Sequence, residues 1–321
     1  MFTRTVKGYG EMRSVSISAL CRLFGFSRQR YYRSVWSELR CRKRATDVVE
    51  LAQEVRADMP RLGCRKLYHI LEPRLRTLGV GRDKLFDIMR ANNMLILPYR
   101  SYHTTTNSHH RFRKYKNLVA GLDIVRPEQV FVSDITYVRN RDCHMYLALV
   151  TDAYSKKIMG YDLSESLASD GAIRALKMAH KNRIYPQEPL IHHSDRGIQY
   201  CSDEYQTRLA KYGITPSMTE SYDPYANAVA ERINGILKQE FLLECLNLPL
   251  NLMKKAVAEC VDIYNRMRPH CSCDYNTPEF MHRQREVKMK TYKKENKNEA
   301  VQKVLAAFFV YVVKKLYLAG K

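Results

Sequence analysis

After residue 127 the chain changes period. "QVFVSDITYV", "MYLALVTDAYS" and "KIMGYDLSES" are rich in β-branched and aromatic residues, with turn signals at 139–144 and 155–157. Three consecutive strands, antiparallel, are predicted there. A helix follows over about 169–183, then "PLIHHSD" as a fourth strand, "SDEYQTRLAKYG" as a helix and "ITPSM" as a short fifth strand. A helix from about 225 and another over roughly 250–267 complete a mixed α/β order.

Before residue 98 the spacing of apolar positions is helical. "VSISALCRLFGFSRQRYYRS", 15–34, predicts two short helices around Gly25, with Ile17, Leu20, Cys21 and Leu23 packing and Ser27 capping the second. That is a helix-turn-helix pattern or an ordinary helical hairpin; in the first case Arg28, Gln29 and Arg30 open the helix that meets DNA. From 46 to 95, "RLGCRKLYHIL" and "GVGRDKLFDIMRANNM" form a second such pair with basic outer faces, Arg65 and Lys66 among them. The segment 98–117, "PYRSYHTTTNSHHRFRKYKN", is polar and aperiodic, a linker that is either solvated or laid along phosphates. His109 and His110 have no partner at a metal-ligand spacing and are read as linker residues.

Charge separates these regions. Of the net +21, residues 1–117 carry 25 Lys/Arg against 9 Asp/Glu, a net +16, while 118–284 are nearly neutral and 285–321 are again basic. A basic excess on one segment points to a polyanion, whose counterions are released when phosphates are neutralised. The nine Cys are scattered without a C-x-x-C pair or a regular spacing, which indicates neither a zinc knuckle nor a disulfide framework and suits a reducing cytoplasm. The longest apolar run, "VLAAFFVYVV" at 304–313, is half what a membrane span needs, so no membrane is expected. It lies in a helical tail that either packs on protein or is an accidental extension of the reading frame.

Three acids stand out in the neutral region. Asp134 sits among apolar residues on the first strand, Asp195 ends the fourth, and Glu231 lies on the later helix. A carboxylate on a central strand is costly unless paired or bound to a cation, and hard oxygen ligands favour Mg²⁺ or Mn²⁺. Two such ions suit in-line displacement at a phosphodiester. On the helix, Asn227, Glu231, Asn234 and Lys238 form one polar stripe with Val229, Ile233 and Ile236 opposite. Glu231 is expected to face the metal, and Asn227, Asn234 and Lys238 the nearby phosphate. Arg196 can pair with a carboxylate or a phosphate, Gly197 lets the backbone turn after Asp195, His193 orients a water or packs, and His192 packs.

Asp195 and Glu231 are separated by 35 residues, within the segments "HSDRGIQYCS", "DPYANAVAERINGILKQE" and "YNRMRPHCSCDYNTPEF". Over residues 15–285 these closely resemble the second-frame (OrfB) transposases of the insertion-sequence-3 family. Phe131 replaces a usual Trp, Ile198 a small polar residue, and Cys271 and Cys273 interrupt a Ser-Ser-Leu stretch; no acid is lost. The resemblance implies an RNase H-like mixed α/β sheet, as in the retroviral integrase core, preceded by helix-turn-helix DNA-binding segments. It implies a D,D(35)E triad of Asp134, Asp195 and Glu231, two Mg²⁺ or Mn²⁺ ions, terminal inverted repeats and target DNA as substrate, nicking at 3′ ends and strand transfer with no covalent protein–DNA intermediate. A homo-oligomer, fusion to an upstream OrfA product by frameshifting and a bacterial, nucleoid-associated location follow from the same likeness. The expected domains are 1–45 and 46–97 for DNA binding, a 98–122 linker, a 123–284 catalytic core and a 285–321 tail. The rival reading is a catalytically silent DNA-binding regulator derived from such an enzyme, whose mark would be loss of a ligand.

Overall fold

Ser16 and Ser27 each accept a hydrogen bond from the backbone N–H three residues on, those of Ala19 and Arg30, both at 3.2 Å. These caps start α1 (Ile17–Leu23) and α2 (Arg28–Asp58). The structure, a computed structural model, describes residue 8 and residues 16–97, 115–139, 144–219 and 228–289. The helix predicted after Ser27 is not short. No Gly or Pro interrupts 28–58, so α2 runs for 31 residues and the expected domain boundary at 45/46 falls inside it. Leu23, expected to pack, is 77% exposed at the end of α1, whereas Leu20 and Cys21 are buried.

Helices α3 (Cys64–Thr77) and α4 (Arg82–Ala91) close the helical part. Leu67, Leu71 and Leu75 of α3 recur at four-residue spacing and meet Leu85 and Met89 of α4 and Val48, Leu51 and Ala52 of α2.

The sheet has five strands: β1 (Val130–Arg139), β2 (His144–Asp152), β3 (Ile158–Ser164), β4 (Leu190–Ser194) and β5 (Ile214–Met218). Their order is β3-β2-β1-β4-β5; the first three are antiparallel, and β4 runs parallel to β1 and β5 parallel to β4. The predicted strand sequence and the antiparallel pairing of the first three are as found. This mixed sheet with helices on both faces is the RNase H-like arrangement of the integrase core, preceded by a helical region. Helices α5 (Ser169–Lys181), α6 (Ile198–Cys201) and α7 (Asp203–Lys211) flank β4 in sequence; α8 (Ala228–Gly235), α9 (Leu250–Arg266) and α10 (Pro278–His282) follow the sheet.

The alternation along β2 sorts the two faces. Leu147 and Leu149 join the cluster containing α8, α9 and the N-terminal helices, and Ala148 and Val150 join the one under α5 and α7. At Gly160 of β3 an added Cβ would lie 2.1 Å from the Ala175 carbonyl oxygen, so α5 approaches the sheet more closely than a side chain permits. Among the described residues no helix is long and apolar enough to cross a membrane. The division into compact units falls between 288 and 289, and the expected tail helix lies outside the described residues, as do Asn227, His109 and His110.

The N-terminal helices, α8 and the C-terminal region meet at one carboxylate. Beyond Gly235, α8 continues into a wide turn, Ile236–Glu240, that ends at Glu240. The Glu240 carboxylate accepts two hydrogen bonds from Arg268, both 2.9 Å, and one from Lys66 at 3.1 Å, while its carbonyl accepts from the Arg61 N–H at 3.0 Å. Burial opposes the charge on Glu240, but Arg268 and Lys66 outweigh it and hold the carboxyl below its usual range. Lys66, expected at a phosphate, is therefore committed to the interior: burial, then Arg268, lowers its pKa, and Glu240 is its partner.

Glu240→Leu would strand the guanidinium of Arg268, whose side chain is 1% exposed. It should cost about 3–5 kcal/mol of stability, against roughly 0.5 kcal/mol for Arg283→Ala in the exposed Arg283–Glu279 pair. Urea unfolding of the two variants measures the difference, and equal midpoints would remove Glu240 from its place as a junction.

Candidate active site

Strand β1 is central, and Asp134 lies midway along it, opposite Leu149 of β2. On its other side the parallel register pairs Ser133 with Ser194, the last residue of β4, so Asp195 enters the loop beside Asp134. The strand ends one residue earlier than expected. Asp195 is held locally: its Oδ1 accepts the Gly197 N–H at 3.0 Å. Gly197 has φ −62°, so the expected sharp turn is not what requires glycine. A Cβ there would stand 3.0 Å from Asp195 Oδ1 and 3.1 Å from Gln199 Oε1, so both side chains would have to give by a few tenths of an ångström.

Glu231 projects from the first turn of α8 on its exposed side, while Ala230 and Ile233 are buried. The polar stripe breaks up in the folded helix. Asn234 is 5% exposed and its Nδ2 donates to Asp134 Oδ2 at 2.7 Å, so it orients a carboxylate where a phosphate contact was expected. Lys238 lies in the wide turn, where the 100° spacing no longer holds; its Nζ pairs with Glu244 at 2.6 Å and reaches Thr136 Oγ1 at 3.5 Å. Neither is offered to DNA in this arrangement.

The electrostatics of Asp134 are adverse. It retains some exposed surface, yet its carboxyl is surrounded by protein, and burial first, then the charges of Asp195 and Glu231, push its pKa to about 7. The Ile135 N–H and Asn234 offset this only in part. Among the described residues no three His, Cys, Asp or Glu side chains converge at metal-ligand distances. The donor set still fits a divalent cation: three oxygen ligands whose mutual repulsion a hard dication would relieve.

Beneath this site His192 is buried, its Nε2 shared by Ser133 Oγ at 2.7 Å and Tyr205 OH at 2.9 Å. Burial, then His193, lowers its pKa to about 3, so the ring is neutral and packs as expected. His193 packs as well, Nδ1 to Ser217 Oγ at 2.9 Å. Tyr200 is a residue the sequence reading missed. Its hydroxyl is buried without a hydrogen-bond partner among the described residues, and burial, then Tyr205, Asp134 and Asp195, raise its pKa far above the usual value. Its signal was present five residues after Asp195, in "DRGIQY".

Of the remaining expected DNA contacts, Arg28 and Arg30 are exposed at the start of α2, and Arg65 is exposed on a groove it shares with His69, Arg82 and Arg90. Arg196 is half-buried next to Asp195.

Integrase core domain models match residues 125–224 and 212–278. The insertion element IS600 31 kDa protein of Shigella sonnei is 32% identical over 255 residues, 78% of this chain and 93% of that protein. The chain belongs to the insertion-sequence-3 family of transposases. The InsF transposase of insertion sequence IS3A from Escherichia coli K12 is 28% identical to this transposase over 82% of the chain and 93% of its own length. The catalytic core of HTLV-2 integrase, solved with magnesium, is 22% identical, with a TM-score of 0.40 over 49% of this chain and 98% of that one.

Because the folded pKa of Asp134 lies above the unfolded value of 3.8, the stability it contributes is complete below that value and is lost as pH rises to about 7. In EDTA, Asp134→Asn should match the parent near pH 4 and gain on it by about 1.4 kcal/mol per pH unit up to neutrality. Thermal unfolding across this range tests it; a gap independent of pH would mean that the carboxyl is not raised.

Proposed function

We propose that this transposase nicks the ends of its element and joins the exposed 3′-OH to target DNA, with Asp134, Asp195 and Glu231 as the acidic triad. The observation that carries the proposal is Asp134: a central-strand carboxylate that the β1–β4 register sets near Asp195 and whose pKa is raised to about 7. Structural acids acquire compensating partners, whereas this one acquires like charges, the mark of a cation site.

The three carboxylates would hold Mg²⁺ or Mn²⁺, two ions on the family's pattern, which when bound activate the attacking oxygen and stabilise the leaving one. Asn234, through its Nδ2, and the Ile135 N–H fix the Asp134 carboxylate. The Gly197 N–H does the same for Asp195 Oδ1. Glu231, exposed on α8, would be the third residue to hold the cation. The basic N-terminal region supplies phosphate contacts, Arg28 and Arg30 on α2 and Arg65 on α3, with terminal inverted repeats as the specific substrate. A homo-oligomer would bridge two ends, and an upstream OrfA product fused by frameshifting would add end recognition.

The deciding assay is strand transfer by purified protein on labelled oligonucleotides carrying the inverted repeats that flank the gene, with Mg²⁺ or EDTA. Joined product should need the metal and vanish in Asp134→Asn. Glu231→Gln should stop cleavage yet leave DNA binding nearly intact, because it removes a metal ligand and not a phosphate contact. Binding without joining, even with the upstream fusion present, would favour a silent DNA-binding regulator.

A further inference from the structure

One face of α2 carries exposed aromatic rings and cations together. Gln29, Tyr32, Trp36, Arg40 and Lys43 recur at spacings of three and four and so share one side of the helix, with Arg33 at its edge. Trp36 is 64% exposed and Tyr32 41%. The opposite side is already used: Tyr31 is buried against Leu20 and Cys21 of α1, with Val35 packed beside it. The Tyr32 ring stands edge-on to Tyr31 at 5.3 Å between centroids, which holds it outward.

Exposed aromatic rings gain free energy when covered, and charge identifies the cover. Residues 28–44 contain seven Arg or Lys and one acid, Glu38, and that acid pairs with Arg42 at 2.8 Å. Arg33, Arg40 and Lys43 have no acidic partner among the described residues. A second copy of this helix would bring like charges together. A duplex would satisfy the cations but present no open base face to the rings, since paired bases cover each other. An unpaired strand offers both, phosphates for the cations and π-faces for Tyr32 and Trp36.

We propose that the Tyr32–Trp36 face of α2 binds unpaired DNA, its bases stacked on the two rings and its phosphates on Arg33, Arg40 and Lys43. From residue 32 to 43 the face is roughly 16 Å long, room for a few nucleotides. This rests on the reading of the chain as an enzyme acting on DNA but not on the acidic triad. Strands exposed beside a nicked end are the class of ligand it would take.

Trp36 is the only Trp in the chain, so the site reports on itself. Titrating the full-length protein with a thymidine oligonucleotide should quench Trp36 fluorescence saturably, and a blunt duplex of equal charge should quench it little. By anisotropy of a labelled oligonucleotide, Trp36→Ala should weaken strand binding about tenfold, with duplex binding nearly unchanged. Trp36→Phe should keep most of the affinity and Trp36→Leu should not, because only Phe retains a π-face. Replacing Arg33, Arg40 and Lys43 together by Gln should reduce the salt slope for the strand by about 2. Equal losses on strand and duplex, or Leu serving as well as Phe, would overturn the proposal. So would a dimer in sedimentation that Trp36→Ala dissociates while strand affinity is unchanged, which would make a second copy the occupant. The binding result is independent of strand joining: an inactive triad leaves these outcomes as they stand, and a failure here leaves the strand-transfer assay unaffected.

Discussion

Glu240 is the constraint on which the arrangement of the transposase turns. This single residue receives Lys66 from α3 and the Arg268 guanidinium from the segment after α9 on its carboxylate, and the Arg61 N–H on its backbone carbonyl. It sits at the end of the wide turn that extends α8, the helix bearing Glu231. Desolvation alone would make a buried acid expensive, and two cations convert that cost into a requirement that three separate parts of the chain be present together. The helical region is thereby attached to the helix that supplies the third acid, and displacement of either would separate charges in a poorly solvated place.

Two buried acids of the same sheet show how much environment decides. Glu128, two residues before β1, is fully buried, yet its pKa falls to about 2: burial opposes ionisation, but His282 and Arg183 and the Ile184 N–H more than compensate. Arg183 is only 4% exposed in that pair. His282 in turn has its pKa raised against the effect of burial by Asp152 and Glu128. That cluster is complete, and its work is to fasten α10 to the sheet. Six residues further on, within β1, Asp134 has two amide donors, the Ile135 N–H and Asn234, and two acids for neighbours. The first environment is closed by the protein itself; at the second the charges that raise the carboxyl, Asp195 and Glu231, are both negative.

Much of this was legible in the sequence because it depends on period and order. The β-rich runs identify β1 to β5, and the positions of Asp134, Asp195 and Glu231 relative to those elements follow from counting residues. What escaped depends on partners distant in the chain. Lys66 has the sequence context of a surface cation and becomes internal only because Glu240, 174 residues away, folds onto it. Asn234 looks like one more polar residue on a stripe, and its role appears only when α8 crosses β1. The stripe itself fails at Lys238 because a wide turn changes the helical phase, and local propensity does not announce such a turn. At Gly197 the expected sharp turn is not found, since φ is −62°, and what a side chain would meet there is the Asp195 carboxylate.

The C-terminal signature "YNRMRPH" then acquires a physical meaning. Tyr264 donates from its hydroxyl to the Lys156 carbonyl at 2.8 Å. Asn265 accepts from the Ile158 N–H at 2.9 Å and donates to the Ile158 carbonyl at 3.0 Å, standing in for a neighbouring strand at the start of β3. Arg268 engages Glu240 through two bonds and donates to His270 Nε2 at 2.8 Å. Burial, then Arg268, keeps that imidazole neutral, which is what lets the nitrogen accept. All four side chains are buried, so none is displayed to a nucleic acid. The segment clamps the β2–β3 turn at one end and the wide turn after α8 at the other. A motif at this distance from the acids therefore bears on their geometry through packing alone: it pins the sheet edge and the end of the helix that carries Glu231.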